Sequence, residues 1–241
     1  MRPTSKGKAV SEQHRPAPIG GYQSDMFKSV EFFDRANHLQ LFPSHPWTVR
    51  AVWEVLGPIL FPFSWPHIPA DVDIYEPCAG LGHMVAPLRE LFPRVHAFDI
   101  EDWGKGFDLG DALTWGPKHP EMYNVCFTNP PFDKPLRGMA ERIVRHAQTS
   151  CDCVIILARS GFLFGQERQK LHHHNPAGNL RFLLPLAERA PMQLGEYNAK
   201  CSKPQEYAFF VYERGYTGSY TGLPIPVGAK ARHFRPEDID I

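Results

Sequence analysis

Residues 73–83 read Asp73-Ile-Tyr-Glu-Pro-Cys-Ala-Gly-Leu-Gly-His83, and this stretch decides the fold. Asp73–Glu76 reads as a short strand that runs into a glycine turn, and the turn opens a helix over roughly His83–Phe92. Gly80 and Gly82 allow the backbone to turn tightly and to approach a ligand closely. The helix start beyond them is expected to offer free N–H groups and a positive dipole end to a carboxylate. Phosphate-binding patterns fit badly. The position three after Gly82 is Val85, so Gly-x-Gly-x-x-Gly is incomplete, and no Gly-Lys-Ser/Thr ending follows.

Working outward, the alternation continues. Arg94–Asp99 is the next strand and ends in an acid 17 residues after Gly82. A carboxylate there can accept both ribose hydroxyls of an adenosine moiety, or simply close a turn. Asp111 or Asp108 could accept from an adenine amino group, and the sequence leaves both open. Asn124–Thr128 is a third strand, a helix follows over about Leu136–Thr149, and Cys153–Ala158 is a continuous apolar run, as in a strand covered on both faces. Leu180–Leu186 and Tyr207–Tyr212 are further strands, the second antiparallel. The pattern predicts a parallel sheet with helices on both sides. Upstream, Pro46–Leu56 reads as a helix that starts at Pro46 and stops at Gly57-Pro58. The expected organisation is a loosely ordered polar arm over 1–37, one domain over 38–215, and a surface tail over 216–241.

The most specific stretch is Asn129-Pro130-Pro131-Phe132, directly after an apolar strand. Two prolines remove two backbone donors and stiffen the chain. The Pro130 carbonyl and the Asn129 amide oxygen then stand as fixed acceptors. An exocyclic amine has two N–H donors, so two convergent acceptors suit it and favour a pyramidal nitrogen with a free lone pair. Phe132 offers a flat face on which a base can stack. The plainer account is a stiff loop with a packed Phe.

Composition bounds the rest. The chain has 241 residues, enough for one sizeable core. Lys+Arg and Asp+Glu both number 26, which argues against tight nonspecific nucleic-acid binding. A local basic face remains open, because Arg137, Arg142, Arg145, Arg159, Arg168, Lys170 and Arg181 crowd one stretch; ordinary solvated helix charge would look the same. Five cysteines with irregular spacing argue against a disulfide framework, and Cys151-x-Cys153 lacks the second pair of a zinc site. His172, His173 and His174 point in different directions on a helix and are expected at an exposed helix end. No metal is expected. No apolar run reaches membrane-spanning length, so a soluble cytoplasmic protein without membrane partners is expected.

Glu76-Pro-Cys-Ala-Gly-Leu-Gly82 resembles motif I of the class I S-adenosylmethionine-dependent methyltransferases. Asn129-Pro-Pro-Phe132 resembles motif IV of their amino-methylating group. Phe42-Pro-Ser-His-Pro-Trp-Thr-Val-Arg50 is similar to motif X of DNA adenine methyltransferases, with Ser44 for the usual Thr and His45 for the usual Pro. Glu206-Tyr-Ala-Phe-Phe-Val-Tyr-Glu213 resembles the late aromatic strand, and the run from Phe42 to about Glu213 is similar to small phage and prophage members. The resemblance implies a Rossmann-like α/β fold with a seven-stranded mixed sheet, helices on both faces and the last strand inserted antiparallel. It implies S-adenosylmethionine as cofactor, held by Phe42, Ser44, Trp47, Glu76, Pro77, Cys78, Ala79, Gly80, Gly82, His83, Asp99, Ile100, Asp111 and Asn129. It implies catalysis by Asn129, Pro130, Pro131 and Phe132 on a nucleobase amine, adenine N6 in DNA first. Arg137, Arg159 and Arg168 are candidates for backbone phosphates. Only about Ser160–Lys203 is left to reach over a duplex, so short or weak sequence specificity, or a partner protein, is expected. Cytosine N4, an RNA guanine amine or a protein glutamine amide would suit the same acceptors. A non-catalytic nucleic-acid-binding protein and a nucleotide-dependent oxidoreductase are the competing classes.

Overall fold

The computed structural model describes residues 22–132 and 135–241, with side chains from residue 29. In chain order the elements are α1 (Tyr22–Leu39), α2 (Pro46–Leu60), β1 (Val72–Glu76), α3 (Val85–Leu91), β2 (Val95–Asp99), β3 (Asp108–Leu109), β4 (Tyr123–Thr128), α4 (Met139–Ala147), β5 (Cys153–Arg159), a 3-10 turn (Ser160–Leu163), α5 (Gln166–His173), β6 (Leu180–Pro185), β7 (Tyr207–Glu213), β8 (Thr221–Gly222), α6 (Ala229–His233) and a second 3-10 turn (Pro236–Asp240). The strands form one sheet in the order β3-β2-β1-β4-β5-β7-β6-β8. Within it β7 alone runs antiparallel to its neighbours, paired with β5 and β6. The mixed sheet expected from the sequence is therefore present, with an eighth strand, the two-residue β8, added beyond β6.

Alternation along the strands divides the core between two faces. Cys153, Ile155 and Leu157 of β5 join Phe127 of β4, Phe209 of β7 and the α2 residues Trp47, Val52, Trp53 and Leu56. Val154, Ile156 and Ala158 face the other way, toward Cys126, Phe210, Tyr212 and the α4 residues Ala140, Val144 and Ala147. Burial of β5 on both faces explains its unbroken apolar run.

Several expectations are corrected. The polar arm over 1–37 lies outside the described residues as far as 21, but from Tyr22 the chain is helical. It is held there by an ion pair from Arg35 to Glu101 at 2.7 Å and an edge contact of Phe32 on Trp103. α2 passes through Gly57-Pro58 to Leu60. Pro58 forfeits only one hydrogen bond, to the carbonyl of Glu54, in the last turn. Gly57 persists because Trp65 packs on it, and a Cβ there would meet the indole at 2.3 Å. His172 is fully buried: its Nε2 lies 3.1 Å from the Phe162 carbonyl and its Nδ1 2.9 Å from the Tyr212 hydroxyl. Of the three histidines only His174 is exposed.

The segment 216–241 is no surface tail. Ile225, Ala229 and Asp238 are buried. Arg50 of α2 uses all five of its N–H donors at this point, two on Glu90, two on Asp238 and one on the His233 carbonyl, at 2.7–2.9 Å. Its side chain is 5% exposed and that of Asp238 is 1% exposed, so the pair is desolvated. Among the described residues no helix is long and apolar enough to cross a membrane, and no cluster of His, Cys, Asp or Glu is arranged to hold a metal ion.

Glu76 bridges β1 to β4. Its Oε1 accepts from the Thr128 hydroxyl at 2.6 Å and from the Cys78 amide at 3.0 Å, while Oε2 is buried without a partner among the described residues. Burial raises its pKa from 4.5 to about 8. The unfolded chain therefore ionises this carboxyl before the folded one does, and its contribution to stability falls as pH rises from about 4.5 and levels off near 8.

Two outcomes are expected. Asp238→Ala strands part of a buried guanidinium and should lower the unfolding free energy in urea by about 3–5 kcal/mol. Between roughly pH 6.5 and 8 the melting temperature of the wild type should fall, and Glu76→Gln should flatten that decline. The buried histidines, whose pKa values are lowered, cost stability only at more acidic pH.

Candidate functional site

Parallel strands whose chains leave in opposite directions open a crevice at their carboxyl ends. From β1 the chain moves outward to β2 and β3, and from β4 it moves the other way to β5. The loops after β1 and β4 are the glycine turn and Asn129-Pro-Pro-Phe132. Between them lies a cleft of about 130 Å³.

The β1 wall is built on Asp99. Its Oδ2 accepts from the Gly80 amide at 2.8 Å, and its Oδ1 accepts from the Glu101 amide at 3.1 Å and the Trp103 indole at 3.2 Å. This carboxylate, expected to be open to a ribose, already ties the glycine turn to the end of β2, and burial raises its pKa. Gly80 sits at φ 53° and Gly82 at φ 89°, where a side chain is disfavoured. A Cβ on Gly80 would also strike Leu41 at 2.9 Å. The turn offers fewer free amides than expected, because the Gly82 N–H bonds the Ala79 carbonyl and α3 begins only at Val85.

Asn129 anchors the β4 wall. Its Nδ2 donates to the Phe42 carbonyl and the Ser44 hydroxyl, each at 3.0 Å, and approaches the Met192 sulfur at 3.4 Å. Rotating the amide would set its oxygen against the Phe42 carbonyl oxygen, so the orientation is fixed by repulsion as well as attraction. Oδ1 is left buried and without a partner among the described residues. The stretch 42–44 is thus bonded directly to the loop after β4.

Of the expected ligand contacts, Phe42, Ser44, Pro77, Cys78, Ala79, Gly80, His83, Asp99, Ile100, Asp111, Asn129 and Pro131 all line this cleft. Asp111 is separated from its competitor, since Asp108 lies on the edge strand facing Lys118 at 3.9 Å. Trp47 and Glu76 are buried behind the wall, and Gly82 and Pro130 also stand outside the lining. His83 is 3% exposed, neither ring nitrogen has a partner among the described residues, and burial lowers its pKa to about 4. Its ring packs 4.6 Å from that of Tyr197, whose hydroxyl lies 3.4 Å from His45 Nδ1.

Tyr197, Met192, Trp103 and the 39–41 end of α1 were not legible as site residues. Each arrives from a segment distant in sequence, and a lone aromatic or thioether in a loop carries no periodic signal.

A second cleft adjoins Phe132 and is lined by Arg137, Arg159 and Arg168, the three residues singled out for phosphate contacts. The Arg159 guanidinium lies 5.1 Å from the centroid of the Phe132 ring, and Phe42 stacks nearly parallel to that ring at 6.5 Å. Glu141 and Glu167 also border this cleft but are paired with Arg145 and Lys170.

No family model and no curated protein matches this sequence. Solved structures do match. The methyltransferase subunit of a type I restriction-modification system from Streptococcus thermophilus superposes with a TM-score of 0.52 at 10% identity, over 86% of this chain and 53% of that one. The type IIG restriction endonuclease BpuSI superposes with a TM-score of 0.50 at 12% identity, over 76% of this chain and 27% of that one. The chain therefore spans about half of the first of those two proteins and about a quarter of the second. Its fold is the Rossmann-like α/β fold of the class I S-adenosylmethionine-dependent methyltransferases, with helices on both faces of the sheet and an antiparallel β7.

Proposed function

We propose that the protein is an S-adenosylmethionine-dependent methyltransferase acting on the exocyclic amine of a nucleobase, with adenine N6 in DNA as the leading substrate. One observation carries this reading: the Asn129 amide is locked through its nitrogen, so that its buried oxygen is an acceptor in want of a donor. Leaving a buried acceptor unsatisfied costs about 1–3 kcal/mol, and an incoming amine relieves that cost.

The residues fit the cofactor. The cleft has an apolar lining that includes Ala79 and Ile143, and Asp111 at its edge to accept from an adenine amino group. Bound there, S-adenosylmethionine supplies an electrophilic methyl group on a sulfonium. The chain's task is positional. In this reading Asn129 Oδ1 and the Pro130 carbonyl accept the two N–H bonds of the substrate amine and direct its lone pair at the methyl carbon. The cofactor would supply the methyl group with its thioether as leaving group, and the nitrogen would lose its excess proton to water. In a duplex the base must leave the stack to reach this loop. Phe132, already under the Arg159 guanidinium, provides the face for it, and Arg137, Arg159 and Arg168 meet backbone phosphates. The two restriction-modification proteins that share the fold support a DNA substrate.

The test is transfer of labelled methyl groups from S-adenosylmethionine to DNA duplexes, single strands, RNA and glutamine-bearing peptides. Incorporation into adenine of DNA is expected; label confined to RNA or peptide would reassign the substrate. Asn129→Ala should lower kcat by about 10²-fold or more, by analogy with loss of one aligned polar group in other active sites. Calorimetry should find cofactor binding retained but weakened, because the Asn129 amide also ties residues 42–44 to this wall, and sustained turnover would refute the role given to this loop. Arg137→Ala should weaken oligonucleotide binding regardless of sequence and reduce the slope of log K against log salt by about one.

A further inference from the structure

Sixty-six per cent of Phe164 is exposed, on the turn between β5 and α5. The turn itself is braced. Arg168 Nη1 donates to the Gly161 carbonyl at 3.1 Å, Gln169 Nε2 donates to the Leu163 carbonyl at 3.2 Å, and His172 Nε2 holds the Phe162 carbonyl at 3.1 Å. Phe162, two residues earlier, is turned inward against Phe210. Phe164 thus stands outward on a backbone tied at three successive carbonyls, and its order of exposure does not come from a loose loop. Its neighbours Gly161, Phe162 and Gly165 border the arginine-lined cleft. Phe63 is more exposed still, but it lies after α2 and borders neither cleft.

We propose that Phe164 is a stacking platform for a base of the nucleic-acid strand held by Arg137, Arg159 and Arg168, next to the base that enters at Phe132. The inference rests on the nucleic-acid reading above and extends it to a residue that touches substrate without taking part in transfer. An aromatic face beside guanidinium groups matches a strand in both its components, phosphate and base. Holding it rigidly outward removes the ordering cost that a flexible side chain would incur on binding.

The experiment measures binding of a fluorescein-labelled oligodeoxynucleotide, single- and double-stranded, by fluorescence anisotropy with S-adenosylmethionine present. Phe164→Ala should weaken binding by about 5- to 150-fold, the range of one lost base–aromatic stack. Phe164→Leu should behave like the alanine variant, because it keeps apolar volume and loses the π face, while Phe164→Trp should restore binding. Melting temperature and cofactor affinity should be unchanged in all three. If the wild type binds and Phe164→Ala binds within twofold of it, or if leucine substitutes fully, the stacking role is wrong while the function stands. If the wild type binds no oligonucleotide, the nucleic-acid reading falls and this proposal falls with it.

Discussion

Parallel pairing of β1 with β4 is the constraint on which the site depends. The register sets Tyr75 opposite Cys126, so both strands release their chains at the same edge of the sheet. Because β2 and β5 lie on opposite sides, nothing fills the gap between the two departing loops. Each loop is then fixed by a polar anchor beneath it. Asp99 holds the glycine turn through the Gly80 amide, and Glu76 spans the gap to Thr128. On the far wall Asn129 reaches the Phe42 carbonyl and Ser44. The cleft is therefore shaped by hydrogen bonds under its floor and by steric exclusion at Gly80, and its walls do not need a ligand to be in place.

Burial also sets the charge state of the site. Glu76, with a pKa of about 8, is protonated at neutral pH, and His83, with a pKa of about 4, is neutral. Oε1 of Glu76 takes two donors, which leaves Oε2 to carry the proton. Two groups that would carry opposite charges in water are thus both uncharged behind the glycine turn. On the proposed function, such surroundings leave Asp99 and Asp111 as the acidic groups that face a cationic ligand in the cleft. These surroundings suit positional catalysis better than acid–base chemistry, which calls for a group titrating near the working pH and within reach of the reacting atom.

Much of this was legible in the sequence where local chemistry is self-sufficient. The unbroken apolar run at Val154–Leu157 announced a strand buried on both faces. Two prolines after Asn129 announced a stiff loop, and Gly80 and Gly82 announced a turn. What escaped notice depends on partners far along the chain. His172 looks like one of three solvated histidines until Tyr212, forty residues on, meets its ring. The polar segment 229–241 reads as a tail until Arg50 supplies five donors to it and its neighbours. Asp99 reads as a ribose acceptor because its spacing is right, and its bonds to Gly80, Glu101 and Trp103 are a fact of three dimensions. α1 escaped because its polar composition gives no strong apolar stripe, and its anchors include an ion pair to Glu101, an aromatic edge on Trp103 and packing on Gly195, all far along the chain.

The stretch expected to reach over a duplex, Ser160–Lys203, is put to several other uses. Leu180–Pro185 is β6, an internal strand between β7 and β8. Pro191 and Met192 are buried against His45 and Asn129, and the Gly195 amide bonds the Leu41 carbonyl, so this part braces the cofactor-side wall from below. What remains beside Phe132 is the short 3-10 turn and α5. Their chemistry there is guanidinium and an aromatic face, which hold phosphates and stack on bases of any identity. Base-edge discrimination calls for several aligned donors and acceptors entering a groove. A two-turn helix bordered by arginines supplies few of them. On the proposed function, these two elements would hold a strand without reading much of its sequence.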